Sequence, residues 1–318
     1  MRKGRVLAVD LGGTNVRLGM VTGDGRILRR RRTRIPVAAD NEALYESLAG
    51  RINEFMSAGP PGGPPEAVAV GFAGPTNSSA GYIYLAPNVG QLGDINLGEE
   101  LRVRLGLPVL VANDANCAAL GEFSYGAGAG SGSLFMFTLG TGVGGSLVID
   151  GEIWEGAWGI AGEVGHTIIA TDGPKCNCGR RGCLEALASG SAVIRDYVRK
   201  SRIRSDSKRK AVTAKLVFDR AKQGDRIAEE VVADAARALG IGIANVFHLV
   251  NPEIVVIGGG VSRAGASLIR PATEHAREYV FAPLRDKLKV RRAKLGDDGA
   301  LLGAARLAFN TLGSGTDS

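Results

Sequence analysis

Three of the chain's four cysteines, Cys176, Cys178 and Cys183, fall within eight positions, and His166 lies just upstream. Thiolate and imidazole are the donors that zinc takes in a closed, tetrahedral, structural site. Gly179 and Gly182 accompany the cysteines where a tight turn is needed for three sulfurs to converge. Glu163 and Glu185 flank the set, so a metal that fixes this loop also fixes two carboxylates. That is a frame for a polar ligand, with no reaction at the metal itself. A disulfide is the other use of such cysteines. No secretory leader is read at the N-terminus, and four cysteines in 318 residues do not resemble a disulfide framework, which favours the metal. Cys117 stands alone in an apolar stretch and reads as a small buried residue.

A second chemistry is written in glycine. The segment Asp10-Leu11-Gly12-Gly13-Thr14-Asn15 ends an apolar run with a carboxylate beside a phosphate-sized turn. An acid there can hold metal-bound water while backbone amides and the Thr14 hydroxyl meet phosphate oxygens, a combination that suits Mg²⁺. An ordinary hairpin with a capping Asp is the plainer reading of that motif alone. Leu139-Gly140-Thr141-Gly142-Val143-Gly144-Gly145 then repeats the device: residues 8–21 and 137–150 both read as strand, glycine-threonine turn, strand. Duplication about 130 residues apart predicts two related halves facing one another across a cleft, each presenting N–H groups to one polyphosphate. Gly258-Gly259-Gly260-Val261-Ser262, following an apolar run, reads as a strand-to-helix turn of a kind that holds a nucleotide. Asn113-Asp114-Ala115-Asn116 opens a helix after another such run. Asp114 there either caps the helix or stands exposed at a strand end, placed to deprotonate an alcohol; the motif by itself leaves both open.

The elements that must carry these groups follow from periodicity. Strands are expected at 6–10, 16–22, 25–35 after an Asp24-Gly25 hairpin turn, 67–72, 109–112, 253–257 and 288–295. Helices are expected at 41–56, through Leu44, Leu48, Ile52 and Phe55, at 95–105 with an Asp94 cap, at 184–200, 226–249 and 300–309. A chain of 318 residues exceeds one typical core. The predicted division is 1–112 plus 300–318, a small domain to which the last helix returns, and 113–299, a large domain with the cysteine loop. A hydrophobic content of 45% with mixed charge fits a globular protein, and no uninterrupted apolar run reaches membrane-spanning length. The net charge of +7 and the Arg29–Arg32 run raise nucleic acid as a partner, but without interleaved aromatics the run reads as a solvated edge strand. Residues 199–210, basic and serine-containing, read as a mobile surface loop.

The DLGGTN opening, NDAN, LGTGVGGS, GEVGH and CNCGRRGCLE occur in the order found in the ROK family (repressor, open reading frame, kinase), which the sequence resembles over essentially its whole length. The resemblance implies the actin-like, hexokinase-type ATPase fold: two α/β domains with duplicated glycine hairpins around an interdomain cleft. It implies an ATP-dependent hexose kinase making glucose 6-phosphate, with Mg²⁺-ATP as donor and a structural Zn²⁺. By that resemblance Asp114 is the catalytic base and Asn113 a sugar ligand. Glu163, His166 and Glu185 hold the far side of the sugar, and Asn88 makes a further contact. His166 is the fourth zinc ligand beside Cys176, Cys178 and Cys183. Asp10, Gly12, Gly13, Thr14, Asn15, Thr141 and Gly142 form the phosphate and Mg²⁺ site, and Gly259 and Gly260 the adenosine side. Gly71-Phe72-Ala73-Gly74-Pro75 departs from the family's usual GxPGP pattern. Gly162–His166 lacks the His-Pro pair of fructokinase-like relatives, which favours glucose, while mannose, fructose and N-acetylated hexoses, and a non-catalytic sugar-sensing member of the family, stay open alternatives. Repressors of the family carry a DNA-binding module before the first hairpin; Asp10 stands nine residues from the start, which predicts none. A cytoplasmic homodimer or homotetramer, with no membrane or nucleic-acid partner, completes the expectation.

Overall fold

A computed structural model of the chain describes residues 4–12, 15–34, 40–59, 62–74, 76–78, 80–86, 92–264 and 266–314. In chain order the strands are β1 (Arg5–Leu11), β2 (Asn15–Thr22), β3 (Ile27–Arg34), β4 (Ala67–Phe72), β5 (Thr76–Asn77), β6 (Tyr82–Ala86), β7 (Leu92–Ile95), β8 (Val109–Asn113), β9 (Ser133–Leu139), β10 (Val143–Ile149), β11 (Glu152–Ile153), β12 (Ile254–Gly258) and β13 (Val290–Arg292). The helices are α1 (Asn41–Ser57), α2 (Leu97–Leu105), α3 (Asp114–Tyr125), α4 (Leu184–Ala188), α5 (Gly190–Lys200), α6 (Asp206–Lys210), α7 (Ala214–Lys222), α8 (Arg226–Val250), α9 (Ala266–Tyr279) and α10 (Gly299–Ser314). Two compact units result. The first is Met1–Gly130 with Val148–Ala161 and Asp297–Ser318; the second is Ser131–Leu147 with Gly162–Gly296.

The first unit is built on the sheet β3-β2-β1-β4-β8. Strands β1 and β2 are antiparallel, while β1, β4 and β8 run parallel, so the ends of these three lie side by side: Asp10 pairs with Gly71, and Phe72 with Asn113. Continuous apolar runs suit strands covered on both faces. Leu7, Val9, Val68 and Val70 meet Leu44, Leu48, Ile52 and Phe55 of α1 in one core. The arginine run lies on β3, at the sheet edge, as the sequence predicts. Helix α2 is capped by Asn96, whose side chain accepts from Glu99 N–H, whereas Asp94, the expected cap, lies in β7.

Residues 113–130 join the first unit, unlike the division expected at 112/113. The reason is close packing of α3 on α10: a Cβ on Gly303 would stand 1.6 Å from Cys117 O, and one on Gly121 2.3 Å from Gly299 O. Two glycines let the helices approach backbone to backbone. Residues 148–161 come with them, through a hairpin at Asp150-Gly151 with positive φ at both, pairing Ile149 with Glu152.

The second sheet has the order β11-β10-β9-β12-β13, which repeats the first sheet's pattern of an antiparallel hairpin followed by parallel neighbours. The duplication read from the glycine hairpins therefore extends to strand order. Around β9 and β12 the second unit buries Phe137, Leu139, Val255 and Ile257 against Leu239, Ile243 and Phe247 of α8. Helix α8 is long and apolar enough, by length and composition, to cross a membrane, yet 67% of its most apolar window is buried in the protein. The run expected as one helix, 184–200, is broken at Ser189, whose hydroxyl accepts from Ala192 N–H to start α5. Gly190 N–H then bonds Gly140 O, at 2.8 Å. The basic segment expected as a loop contains α6, and the strand expected at 288–295 shortens to β13.

Candidate active site and metal centre

In the first unit the parallel ladder brings two carboxylates to one sheet end. Asp10 sits near the end of β1, directly opposite Arg17 of β2 in the antiparallel register, and Arg17 Nη1 donates to Asp10 Oδ2 at 3.0 Å. The same nitrogen donates to Asp297 O. Burial raises the Asp10 pKa; Arg17 pulls it down and the Asp297 charge pushes it up. Arg17 was not singled out from sequence. Its signal was available: a lone cation in an otherwise apolar strand, equidistant with Asp10 from the turn.

Asp114 opens α3 immediately after β8. The capping role falls to Asn113, whose Oδ1 accepts from Ala115 and Asn116 N–H while its Nδ2 donates to Gly74 O. Asp114 Oδ1 shares the Ala115 N–H at 2.9 Å. The expected exposed carboxylate is in fact half-buried, and burial pushes its pKa up to about 6, with the neighbouring Asp10 charge adding to the rise. Gly71 of β4 lies against it: a Cβ there would meet Cys117 Sγ at 3.4 Å and Asp114 Cα at 3.8 Å. A carboxylate with its pKa raised to about 6, at the C-terminal end of parallel strands, has the position and basicity suited to a general base. Gly12 N–H bonds Asn15 O across the first glycine turn. Gly13 and Thr14 of that turn, and Asn88, lie outside the described residues.

In the second unit His166, Cys176, Cys178 and Cys183 converge, their donor atoms all within 4.8 Å of one another. Cys178 Sγ and Cys183 Sγ are 3.6 Å apart, and Cys176 Sγ lies 3.8 Å from His166 Nδ1. A tetrahedron with metal–sulfur bonds of about 2.3 Å has edges of about 3.8 Å, close to these two separations, so the set is compatible with zinc. His166 Nε2 faces Glu163 Oε2 at 3.8 Å, the arrangement in which a ligating imidazole is turned by an outer carboxylate. As a bare thiol Cys183 is pushed up to about 12, first by burial and then by its thiol neighbours. A bound cation is what would make a thiolate tenable there.

The loop is tied within itself by Cys176 N–H to Arg180 O, Gly179 N–H to Cys176 O and Gly182 N–H to Pro174 O, and to residues 167–170 by Ile169 and Ala170 N–H to Gly182 O, Gly173 N–H to Ala170 O and Leu184 N–H to Thr167 O. Gly182 has φ +71, and a Cβ on it would fall 1.5 Å from Ala170 O, so no other residue fits. Cys183 precedes α4, which sets Glu185 in that helix's first turn. Glu185 Oε2 accepts from Val143 N–H at 3.2 Å, and Oε1 lies 3.6 Å from Cys176 Sγ. The second glycine turn, Thr141 and Gly142, is thus next to Glu185. Gly259, at φ +82, abuts Leu139 O, which explains its identity by packing, whereas a side chain on Gly260 would meet nothing within 4 Å.

Two α/β units on sheets of repeated strand order define the actin-like, hexokinase-type ATPase fold. The sequence model of the ROK family matches residues 6–311, and the chain belongs to that family. It is 37% identical to a glucokinase of Thermotoga maritima, over 98% of this chain and 100% of that protein. An N-acetylmannosamine kinase of Escherichia fergusonii is 32% identical, over 95% of this chain and 97% of that one. Among solved structures, a ROK family glucokinase from Streptomyces griseus in complex with glucose and AMPPNP is 33% identical, with a TM-score of 0.80 covering 96% of this chain and 100% of that one.

Proposed function

We propose that the chain is an ATP-dependent hexose kinase and that its hexose is glucose, converted to glucose 6-phosphate. The observation that carries this reading is Asp114: a half-buried carboxylate at a strand end, next to the α3 cap Asn113, engaged through Oδ1 alone among the described residues and raised to about 6. Its Oδ2 takes the proton of the sugar's 6-hydroxyl as that oxygen bonds the γ-phosphorus and the bond from that phosphorus to the bridging oxygen breaks, ADP leaving with that oxygen. Its pKa near working pH balances two demands, being ionised enough to accept and basic enough to pull. Phosphoryl transfer otherwise asks the protein chiefly for position and charge. Asp10 is suited to hold metal-bound water, since Arg17 engages only Oδ2 and, among the described residues, no hydrogen bond to Oδ1 is made. Mg²⁺, when bound, would neutralise the phosphate oxygens. Gly12 and Asn15, with Gly13 and Thr14, form the first phosphate turn of the proposal, Thr141 and Gly142 the second, and Gly259 and Gly260 the adenosine side.

For the sugar, the proposal assigns Asn113, Asn88, Glu163, His166 and Glu185. Among the described residues Asn113 has one amide N–H left after capping and bonding Gly74 O. A structural zinc on His166, Cys176, Cys178 and Cys183 would fix the direction of His166, and with it Glu163, so that the pair offers a donor and acceptors to the sugar. The names of the relatives at 37% and 33% identity support glucose, and that of the N-acetylmannosamine kinase at 32% supports an amino sugar as the second reading. ADP release measured on glucose, mannose, fructose, N-acetylglucosamine and N-acetylmannosamine, with ATP and with polyphosphate as donors, decides. Turnover highest on N-acetylmannosamine would replace glucose, and release on no hexose would reject a kinase.

A further inference from the structure

The glycine turn of the second unit is not free-standing. Val143 N–H donates to Glu185 Oε2 at 3.2 Å, Gly190 N–H to Gly140 O at 2.8 Å and Ser191 N–H to Thr141 O at 3.4 Å. All three partners follow Cys183 within a few residues, at the starts of α4 and α5. Gly142 is bare on the side where Glu185 lies: a Cβ would stand 2.4 Å from Glu185 Oε2. The opposite edge is as close. A Cβ on Gly165, one residue before His166, would fall 2.0 Å from Val143 O, and one on Gly145 would fall 2.6 Å from Gly162 O. The hairpin backbone is therefore clasped between the two segments that carry the His and Cys ligands.

We infer that Glu185 is a positioning residue that transmits the order of the zinc loop to the glycine hairpin, so that zinc occupancy sets the affinity for nucleotide in the absence of any sugar. The inference rests on reading the hairpin as a phosphate turn and the His/Cys set as a zinc site. The physical route is short. Cys183 is two residues from Glu185, so anchoring its sulfur fixes the first turn of α4 and the direction of the carboxylate. The carboxylate in turn holds Val143 N–H, and a turn held in one conformation binds phosphate without the entropy of ordering it first. A role confined to the sugar would leave the hairpin indifferent to Glu185 and to zinc.

The test uses the full chain, zinc-loaded and chelator-stripped, with Glu185→Ala and Glu185→Gln. Mg²⁺-AMPPNP and glucose are titrated separately by calorimetry, and hydrogen exchange is followed in peptides covering 140–145. Stripping and Glu185→Ala are each expected to weaken Mg²⁺-AMPPNP binding about tenfold, the low end for losing a metal site's outer partner. Both should speed exchange at 140–145. Glu185→Gln, which keeps an oxygen for Val143 N–H, is expected to restore both readings nearly to wild type. Unchanged exchange in zinc-loaded, folded Glu185→Ala would overturn the inference. So would tighter nucleotide binding in that variant, which would mean that the carboxylate occupies a phosphate's place. A wild-type protein that binds no nucleotide would instead reject the kinase reading, while exchange at 140–145 still decides the bracing.

Discussion

In the first unit Asp10 and Asp114 are held by a ladder of parallel strands, whereas in the second His166 and the three cysteines are held by a glycine-rich loop with isolated bridges and no ladder. The ladder imposes its geometry whether or not anything binds. It places two carboxylates in a buried setting that raises both pKa values. The loop has isolated bridges in place of a ladder, and its thiols lie close because glycines allow the turn. One site is electrostatically costly and structurally secure; the other brings together four side chains suited to a metal, which the proposed zinc would tie. Substitutions should therefore act in opposite directions on stability.

The largest effect expected is at Asp114. Asp114→Asn keeps an oxygen for the Ala115 N–H, and Asn113 still caps α3, so the fold should hold. Turnover should fall about a hundredfold or more, the scale of losing a general base. Stability should rise. A carboxyl whose folded pKa is raised, here from 3.8 to about 6, favours the fold below its unfolded value and loses that contribution as pH rises through the folded one. The shift corresponds to about 3 kcal/mol withheld at neutral pH. Thermal melts at pH 7.5 should show Asp114→Asn above wild type, with little difference at pH 4. Near-normal turnover would leave Asp114 without a catalytic part.

At the loop the sign reverses. Gly182→Ala puts a methyl group against Ala170 O at a positive φ and should cost about 3 kcal/mol, with zinc lost from the protein. Gly179→Ala shares the positive φ but meets nothing within 4 Å, and should cost about 1 kcal/mol. Urea titration with elemental analysis compares them; equal losses would mean that the close approach at Gly182 is relieved by movement of the loop.

Cys178→Ser removes one sulfur from the set and should reduce bound zinc from about one per chain toward none. The Michaelis constant for glucose should then rise about tenfold, since His166 loses the partner that fixes its tautomer and direction. Full glucose affinity in metal-free protein would reduce the cluster to a packing feature.

The loop was legible in sequence because its constraint is local: residue types and glycine spacing within eighteen positions contain the whole set. The hairpins and most buried strands were legible for the same reason. What was not legible depends on pairing between distant segments. That Asn113 and not Asp114 caps α3 turns on φ/ψ at one residue, and a helix boundary is uncertain by about that much from sequence. The membership of α3 in the first unit turns on Gly303 meeting Cys117 O across nearly two hundred residues. Ser189 reads as helical by spacing, and it breaks the helix because Gly190 must reach Gly140 O. Arg17 facing Asp10 follows from a register that a turn fixes, and strand propensity alone does not give it.

The smallest effect sharpens the electrostatic side of the comparison. If Asp114 must be ionised to accept a proton, kcat/KM should fall below about pH 6 with a slope of one. Burial is the main cause of the raised value and the Asp10 charge the second. Asp10→Asn removes that charge while keeping the shape of the β1 end, so the acid limb should move to lower pH. Because burial remains, the displacement should be less than one pH unit, on the scale of a single partly screened charge. The limb is read from kcat/KM at saturating Mg²⁺-ATP, so that any loss of metal affinity at position 10 changes the height of the profile and leaves its midpoint to report Asp114. A limb moving upward would require Asp10 to stabilise the Asp114 anion, which two like charges at one sheet end cannot do. A limb that stays in place would show the two carboxylates to be insulated from each other, and the raised pKa would then belong to burial alone.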